Sequence, residues 1–553
     1  MHMVPLLLVL LLQSTAWAFT PDDLWQAWPV ERFVETPAPC LRPADLNAEL
    51  QKLSELYPEK IQLEEVGRSF EGRPITLITL GHGPDTVLLW SQMHGDEPSA
   101  TPALLDIAAF LLVHSEEPAA AAILDHLTLV MIPMLNPDGA QDYRRRNAQG
   151  IDINRDARIL ATPEGRILKR IRDEYEPVLG FNLHDQDRRK TVGNTGVPAT
   201  IAVLAVTGDE ARTLSPGRLR AKRACTAIVE ALTPLIPGGL ARFDESWSPR
   251  SFGDNLTAWG TPVVLIESGG LPPGRDLEEL TRLNFVAILT VLQELTRNDL
   301  VSHGFEVYDT LPLNERNIWA DVVVRGGFML RPGVDSPYRA DLAFNVAVDD
   351  RDAAGCATGS ASRSRVVEVG DAAFLGAGRV VDAGESLLLT PLVVGIEGWS
   401  ARRWLNSTAL LDVARLGVGT VIWEVPHQKI EAAESLAHEL AGAGQARLEV
   451  VQAPTALPWL TLTGPPDQPA SFSLADIVNA LEGKGKSRQS LTPETVDLLL
   501  RSSVLSSTQS PLRFGGPASF LLLHPAPKGR IDPQTTRLRA VYINGAEVLG
   551  GSP

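Results

Sequence analysis

"DTVLLWSQMHGDEPSATPALLDIAAFLLV" (Asp85–Val113) sets an apolar run, a short polar turn and a longer apolar run back to back. The first run reads as a strand buried on both faces and the second as a helix over about 99–114. His94 and Glu97 sit in the turn, where the strand ends. The same alternation extends outward. "IQLEEVG" (Ile61–Gly67) and "PITLITLG" (Pro74–Gly81) are short strands separated by glycine-rich turns. Before them, Arg42–Lys60 reads as a helix with Leu46, Leu50, Leu53 and Leu56 on one side. After them come a strand at "LTLVMIPML" (Leu127–Leu135), a long polar stretch and a helix near 163–175. Strands follow at "VLGFNLH" (Val178–His184) and "TIAVLAV" (Thr200–Val206), then a helix over about 209–235 and a strand in "TPVVLIESGG" (Thr261–Gly270). Asp276–Leu295 closes the region as an amphipathic helix with Leu277, Leu280, Leu283, Val286 and Leu289 on one stripe. Apolar strands alternating with helices predict an α/β fold, a mostly parallel or mixed sheet covered on both faces. The stretch Thr20–Cys40 reads as an extended lead-in.

The chain has 553 residues, too many for one core. After residue 300 the composition shifts to short strands with glycine-rich turns, among them "WADVVVRGGFMLRPG" (Trp319–Gly333). A helix and strand alternation follows, including residues 429–444. Then come a loop at 482–490 and a short helix at 492–503, with Thr492 as N-cap and Pro493 at its first position. The expected division is a catalytic α/β domain over 19–300 and a β-rich α+β accessory domain over 301–553. Residues 1–18 read as a signal peptide. Val4–Leu12 is its apolar core, too short to cross a bilayer, and Ala16 and Ala18 allow cleavage before Phe19. Export to the periplasm or outside the cell is the expectation, with no stable membrane insertion after cleavage.

Fifty basic and sixty-seven acidic side chains give a net charge of −17, which argues against nucleic acid or anionic lipid as partner. Cys40, Cys225 and Cys356 are too widely spaced for a disulfide framework or a zinc knuckle, and one bridge with one thiol left over is the most they allow.

In open α/β sheets ligands bind at the carboxyl ends of strands. Four strand ends here carry polar or ionisable residues: His94, Asp96 and Glu97; Asn136 and Asp138; His184 and Asp185; and Glu267. One such ending is ordinarily structural, whereas four together point to a shared site. Two histidines and a glutamate suit zinc, whose catalytic sites use three protein ligands and keep a fourth position open. An isolated His-x-x-Glu is more often a capped turn. Gly95 is expected to free the backbone so that both ligands face one ion.

"MHGDEPSA" (Met93–Ala100), "NPDG" (Asn136–Gly139), "RRRNAQGIDINRDA" (Arg144–Ala157), "FNLHDQ" (Phe181–Gln186) and "VVLIESGG" (Val263–Gly270) follow the order seen in the zinc carboxypeptidase family. The chain resembles that family over about 40–300, including the opening at Tyr57–Gly81. The resemblance implies one zinc per chain, held by His94, Glu97 and His184. It implies Glu267 as the general base that moves a proton from water to the leaving amine, and Arg145, flanked by Arg144 and Arg146, as the oxyanion-stabilising cation. It further implies that Asn154 and Arg155 grip a free C-terminal carboxylate, so that a peptide is the partner.

One departure stands out. The family's loop tyrosine is missing, since no Tyr occurs between Tyr175 and Tyr308; Trp247, Arg250 and Phe252 are the candidates to replace it. Asp254, in the region expected to line the pocket for the released side chain, either faces a basic group or caps a turn. A zinc deacylase of small N-acyl amino acids and a non-catalytic binding module are the rival readings. The intact ligands and Glu267 argue against the module. The second half resembles the β-sandwich beside amidohydrolase barrels, but "VGIEGWS" (394–400) stands where a metal-binding His-x-His is expected, so that part is read as catalytically inert.

Overall fold

The computed structural model describes residues 18–272, 275, 278–297, 299–330, 338–347 and 363–382, and beyond these only the strands named below. The apolar segment at 4–12, the elements expected over 429–444 and 482–503, and the 394–400 stretch lie outside the described residues.

The first compact unit runs to Trp319 and is built on an eight-stranded sheet. Its strands are β1 (Ile61–Arg68), β2 (Pro74–Leu80), β3 (Asp85–Trp90), β4 (Leu127–Ile132), β5 (Leu179–Asp185), β7 (Ile201–Ala205), β8 (Leu240–Arg242) and β9 (Val263–Ser268), while β6 (Thr191–Val192) lies apart from it. The order is β1-β2-β4-β3-β5-β9-β7-β8. The centre, β4-β3-β5-β9, is parallel. Antiparallel pairs at β1–β2, β2–β4 and β7–β9 make the whole sheet mixed.

The helices are α1 (Pro21–Glu31), α2 (Pro43–Leu56), α3 (Ala100–Val113), α4 (Pro118–His126), α5 (Pro137–Asp142), α6 (Pro163–Tyr175), α7 (Pro216–Leu232), α8 (Phe252–Ala258), α9 (Glu278–Arg297) and α10 (Glu306–Asp309). Alternation along β3 shows why the central strands are apolar throughout. Val87 and Leu89 join one core with α3, α7 and α9, while Leu88 and Trp90 join the other with α6 and α8. A strand residue faces opposite its neighbours, so a strand covered on both faces needs apolar residues at every position.

The lead-in is helical, contrary to the extended reading. Thr20 and Asp23 form a capping box, with Asp23 N donating to Thr20 Oγ1 at 3.1 Å and Thr20 N to Asp23 Oδ2 at 3.0 Å. Pro21 fits the first helical position, and Leu24 and Trp28, one turn apart, are buried. Asp106, in α3, which is buried from Ala100 to Leu112, anchors this helix. It accepts from Trp28 Nε1 at 2.9 Å, Phe33 N at 2.9 Å and Val34 N at 3.0 Å. Asp106→Ala strands two buried donors and one half-buried one and is expected to cost about 3 kcal/mol, read from the urea midpoint. A loss below about 1 kcal/mol would mean that water replaces the carboxylate.

The helix expected over 209–235 starts later, at Pro216, because Ser215 caps it by accepting from Arg218 N at 3.1 Å. The first unit also continues past the boundary expected at 300. Tyr308 is buried with its hydroxyl accepting from Ala205 N at 3.1 Å, and Lys222 Nζ pairs with Asp309 at 2.6 Å. Strand β10 (Asn314–Glu315) then pairs with β6. Cys40 is disulfide-bonded and Cys225 is the free, buried thiol. Among the described residues no single helix is long and apolar enough to cross a membrane.

The second unit, from Ala320, is β-rich. Strands β11 (Trp319–Leu330), β12 (Tyr338–Ala347), β13 (Arg363–Gly370), β14 (Gly376–Asp382) and β15 (Leu387–Leu389) begin it. They are followed by β16 (Thr420–Val425), β17 (Arg447–Gln452), β18 (Leu460–Thr463), β19 (Ser471–Phe472), β20 (Phe520–His524), β21 (Arg537–Ile543) and β22 (Ala546–Gly550). One sheet runs β13-β12-β11-β15-β20-β21-β22, with β14 also on β11, and a smaller one runs β17-β16-β18-β19.

Candidate metal centre

The chain leaves β3 at Trp90 and turns back within nine residues into α3. Glu97 N donates to His94 O at 3.2 Å, so both side chains leave the same turn. The left-handed residue here is Gln92, at φ 50°. Its amide nitrogen donates to Gly95 O at 3.0 Å. Gly95 has a different duty from the one expected, because a Cβ there would lie 1.9 Å from the carbonyl carbon of Gly139. Glycine lets the turn press against the start of α5. His184, the penultimate residue of β5, lies directly across from Glu267 on β9.

These strand ends bring His94, Glu97 and His184 together, all buried, with one potential ligand atom from each lying within 4.8 Å of the others. Nδ1 of His94 is 2.8 Å and Nδ1 of His184 2.6 Å from Oε2 of Glu97, and the two Nδ1 atoms are 3.1 Å apart. Two imidazoles and a carboxylate converging lone pairs on one point need a cation between them. Burial opposes charge on His94, yet Glu97 and Asp152 push it up to about 9; burial holds His184 below its ordinary value. Burial also disfavours the Glu97 carboxylate, but the charges of His184 and His94 outweigh it and hold Glu97 well below the usual range. A proton shared in this cluster stands where a divalent ion fits better, and nitrogen with carboxylate oxygen is a zinc donor set.

Asp152 was not among the residues read from the sequence, although it lies within the stretch Arg144–Ala157 that was. Its Oδ1 lies 3.1 Å from His94 Nε2, fixing which ring nitrogen faces the cluster. Its Oδ2 accepts from Arg145 Nε at 3.1 Å. Burial works against the Asp152 carboxylate, but the bond to His94 and the neighbouring charges hold it ionised. Of the three adjacent arginines only Arg145 reaches the cluster, with Nη1 2.9 Å from Glu97 Oε1 and 3.1 Å from His94 Nδ1. Arg144 pairs with Asp142, and Arg146 donates to Gly150 O at 3.1 Å.

The cluster opens into a cavity of about 600 Å³. Glu267 lines it, its carboxyl pushed up to about 8 by burial and by the charge of Glu97. Asn154 and Arg155 line it too. Asn154 Oδ1 accepts from Phe252 N at 2.9 Å, and Arg155 Nη1 donates to Ser251 Oγ at 3.1 Å, tying this edge to α8. Asp254 caps a turn, one of the two alternatives read for it, while also lining the cavity. It accepts from Ser248 N at 2.8 Å, with burial raising its carboxyl to about 6. Trp247, Arg250 and Phe252 do not line the cavity, and Phe252 is packed in the core under α8, because apolar contact there outweighs exposure to a polar cleft. Asp96 faces the cavity with Oδ1 buried and unpaired.

Residues 46–176 match the family model described as zinc carboxypeptidase. This segment is similar in sequence to zinc carboxypeptidases. It contains His94, Glu97, Arg145, Asn154 and Arg155, and it ends before His184 and Glu267. Carboxypeptidase SOL1 of Arabidopsis thaliana is 30% identical over 119 residues, covering 20% of this chain and 23% of that protein. Carboxypeptidase E of Caenorhabditis elegans is 32% identical over 134 residues, covering 20% of this chain and 28% of that protein. The chain thus spans about a quarter of the length of these curated relatives. Among solved structures, a metallo-carboxypeptidase from Burkholderia cenocepacia is 19% identical with a TM-score of 0.38, over 46% of this chain and 69% of that one.

Proposed function

We propose that this chain is an exported zinc metallocarboxypeptidase that removes C-terminal residues from peptides. The observation that carries the reading is the buried His94, Glu97 and His184 set, with Glu267 and Arg145 beside it in one cavity. Asp152 orients His94 from behind, leaving Nδ1 for the metal. Zinc bound there supplies a Lewis acid that makes water a nucleophile near neutral pH and polarises the scissile carbonyl. Glu267 accepts the proton of the attacking water and returns it to the leaving amine. Arg145 is the cation placed to offset negative charge building on the carbonyl oxygen. Arg155, planar and able to bind a carboxylate through two parallel hydrogen bonds, takes the free C-terminus with Asn154 beside it. Export is carried by the apolar run Val4–Leu12 and the Ala16–Ala18 cleavage pattern, and peptides met outside the cytoplasm, those of cell walls included, are the substrates this reading favours.

The test is product analysis by mass spectrometry on matched peptides with free and amidated C-termini. Loss of one C-terminal residue from the free peptide alone is the expected result. Cleavage of N-acyl amino acids with no peptide cleavage would replace the reading with a deacylase.

A further inference from the structure

Besides Arg145 and Arg155, two further cationic side chains, Lys190 and Arg316, line the cavity, with the carboxylates of Asp187, Asp244 and Glu267 also on its wall. Lys190 was not singled out in the sequence. It follows the polar turn after β5 and is only 7% exposed, yet it lines the cavity. Its backbone is fixed on both sides, with Lys190 N donating to Asp187 O at 3.0 Å and Ala199 N donating to Lys190 O at 2.8 Å. Its ammonium lies 4.5 Å from the centre of the Phe243 ring. Glu267, Asp187 and Asp244 act on it through space, and no hydrogen bond or ion pair from Nζ to a described residue is formed. Burial disfavours its charge.

Arg316 is the second cation. In the β6–β10 ladder Asn314 pairs with Val192 and Glu315 with Thr191, so Arg316 stands one step further on, across from Lys190. It is exposed, lines the same cavity and repels Lys190. Like charges opposed across a ladder are unfavourable, and a bound anion relieves the repulsion. This edge, built from β6, β10 and Phe243, uses different elements from the edge where Arg155 meets Ser251 and α8.

We propose that Lys190 and Arg316 form a second anion-binding pair in the cleft, taking a carboxylate that the substrate carries in addition to its terminal one. The preferred substrates are then peptides with an acidic side chain next to the scissile amide. This inference rests on the peptidase reading above.

The test uses zinc-loaded full chain and two peptide pairs, differing only as Glu against Gln at the penultimate position or at the terminal position. The wild-type protein is expected to favour Glu by at least about tenfold in kcat/KM in one pair, as a charge-assisted hydrogen bond allows. In Lys190→Met the Glu/Gln ratio should fall to about one, and in the exposed variant Arg316→Gln it should fall by about threefold or more. A wild-type ratio near one in both pairs, or variants that lower both members of a pair equally, would overturn the inference. A protein that cleaves none of the peptides removes the peptidase reading instead. The pair is then read by calorimetry with glutarate against its monoamide, where tighter glutarate binding lost in Lys190→Met supports the anion pair and equal binding overturns it.

Discussion

Glu267→Gln is expected to keep its metal and lower kcat by about 10³-fold, the scale on which removing a positioned general base acts. The substitution is nearly isosteric, so substrate binding should change little and KM should move much less than kcat. Folding should not suffer either. Glu267 lies across from His184, and burial with the charge of Glu97 raises its carboxyl to about 8. A neutral amide there removes a carboxylate that the surroundings disfavour, so thermal stability of the metal-free variant should hold or rise. Elemental analysis, steady-state kinetics and a melting curve on one preparation check all three. A variant within tenfold of wild-type kcat would place the base elsewhere, among the other carboxylates that line the cavity.

His184→Ala is expected to act through the metal. His184 Nδ1 is 2.6 Å from Glu97 Oε2, and the ring is 3% exposed, so its removal takes away one ligand and leaves a hole beside a buried carboxylate. Bound zinc should fall to about a tenth of the wild-type level or less, and turnover should drop below detection, because two ligands hold zinc far more weakly than three. Metal that binds only the folded state stabilises it in proportion to the logarithm of its occupancy ratio. Chelation should therefore lower the melting temperature of the wild-type protein and leave that of His184→Ala nearly unchanged. Full zinc retention by the variant would mean that His184 is not a ligand.

The parts of this fold that were legible in the sequence are those where one physical requirement dominates. β3, β5 and β9 are covered on both faces, which forces continuous apolar runs, and their polar ends mark the rim of the sheet. His94, Glu97, His184 and Glu267 could be placed in this way before any contact was known. The helix at Pro21–Glu31 was missed because its capping box, Thr20 with Asp23, lies in a stretch rich in proline and tryptophan, while its anchor, Asp106, is distant in the chain. The role of Gly95 was misread for a related reason. Its requirement is close approach to Gly139 rather than an unusual backbone angle, and packing between segments leaves no local pattern. Asp152 and Lys190 were invisible for the same cause. Asp152 acts on His94 through a fold-dependent hydrogen bond, and Lys190 gains its place from the β6–β10 ladder, whose strands are only two residues long.

The central claim is that His94, Glu97 and His184 bind one zinc ion. The most direct measurement is the zinc content of the full chain after gel filtration in metal-free buffer, set beside His94→Ala treated in the same way. One zinc per chain in the wild-type protein and almost none in the variant is expected. Wild-type protein that holds no zinc even after exposure to a slight excess, or a His94→Ala variant that holds as much as the wild type, would contradict it.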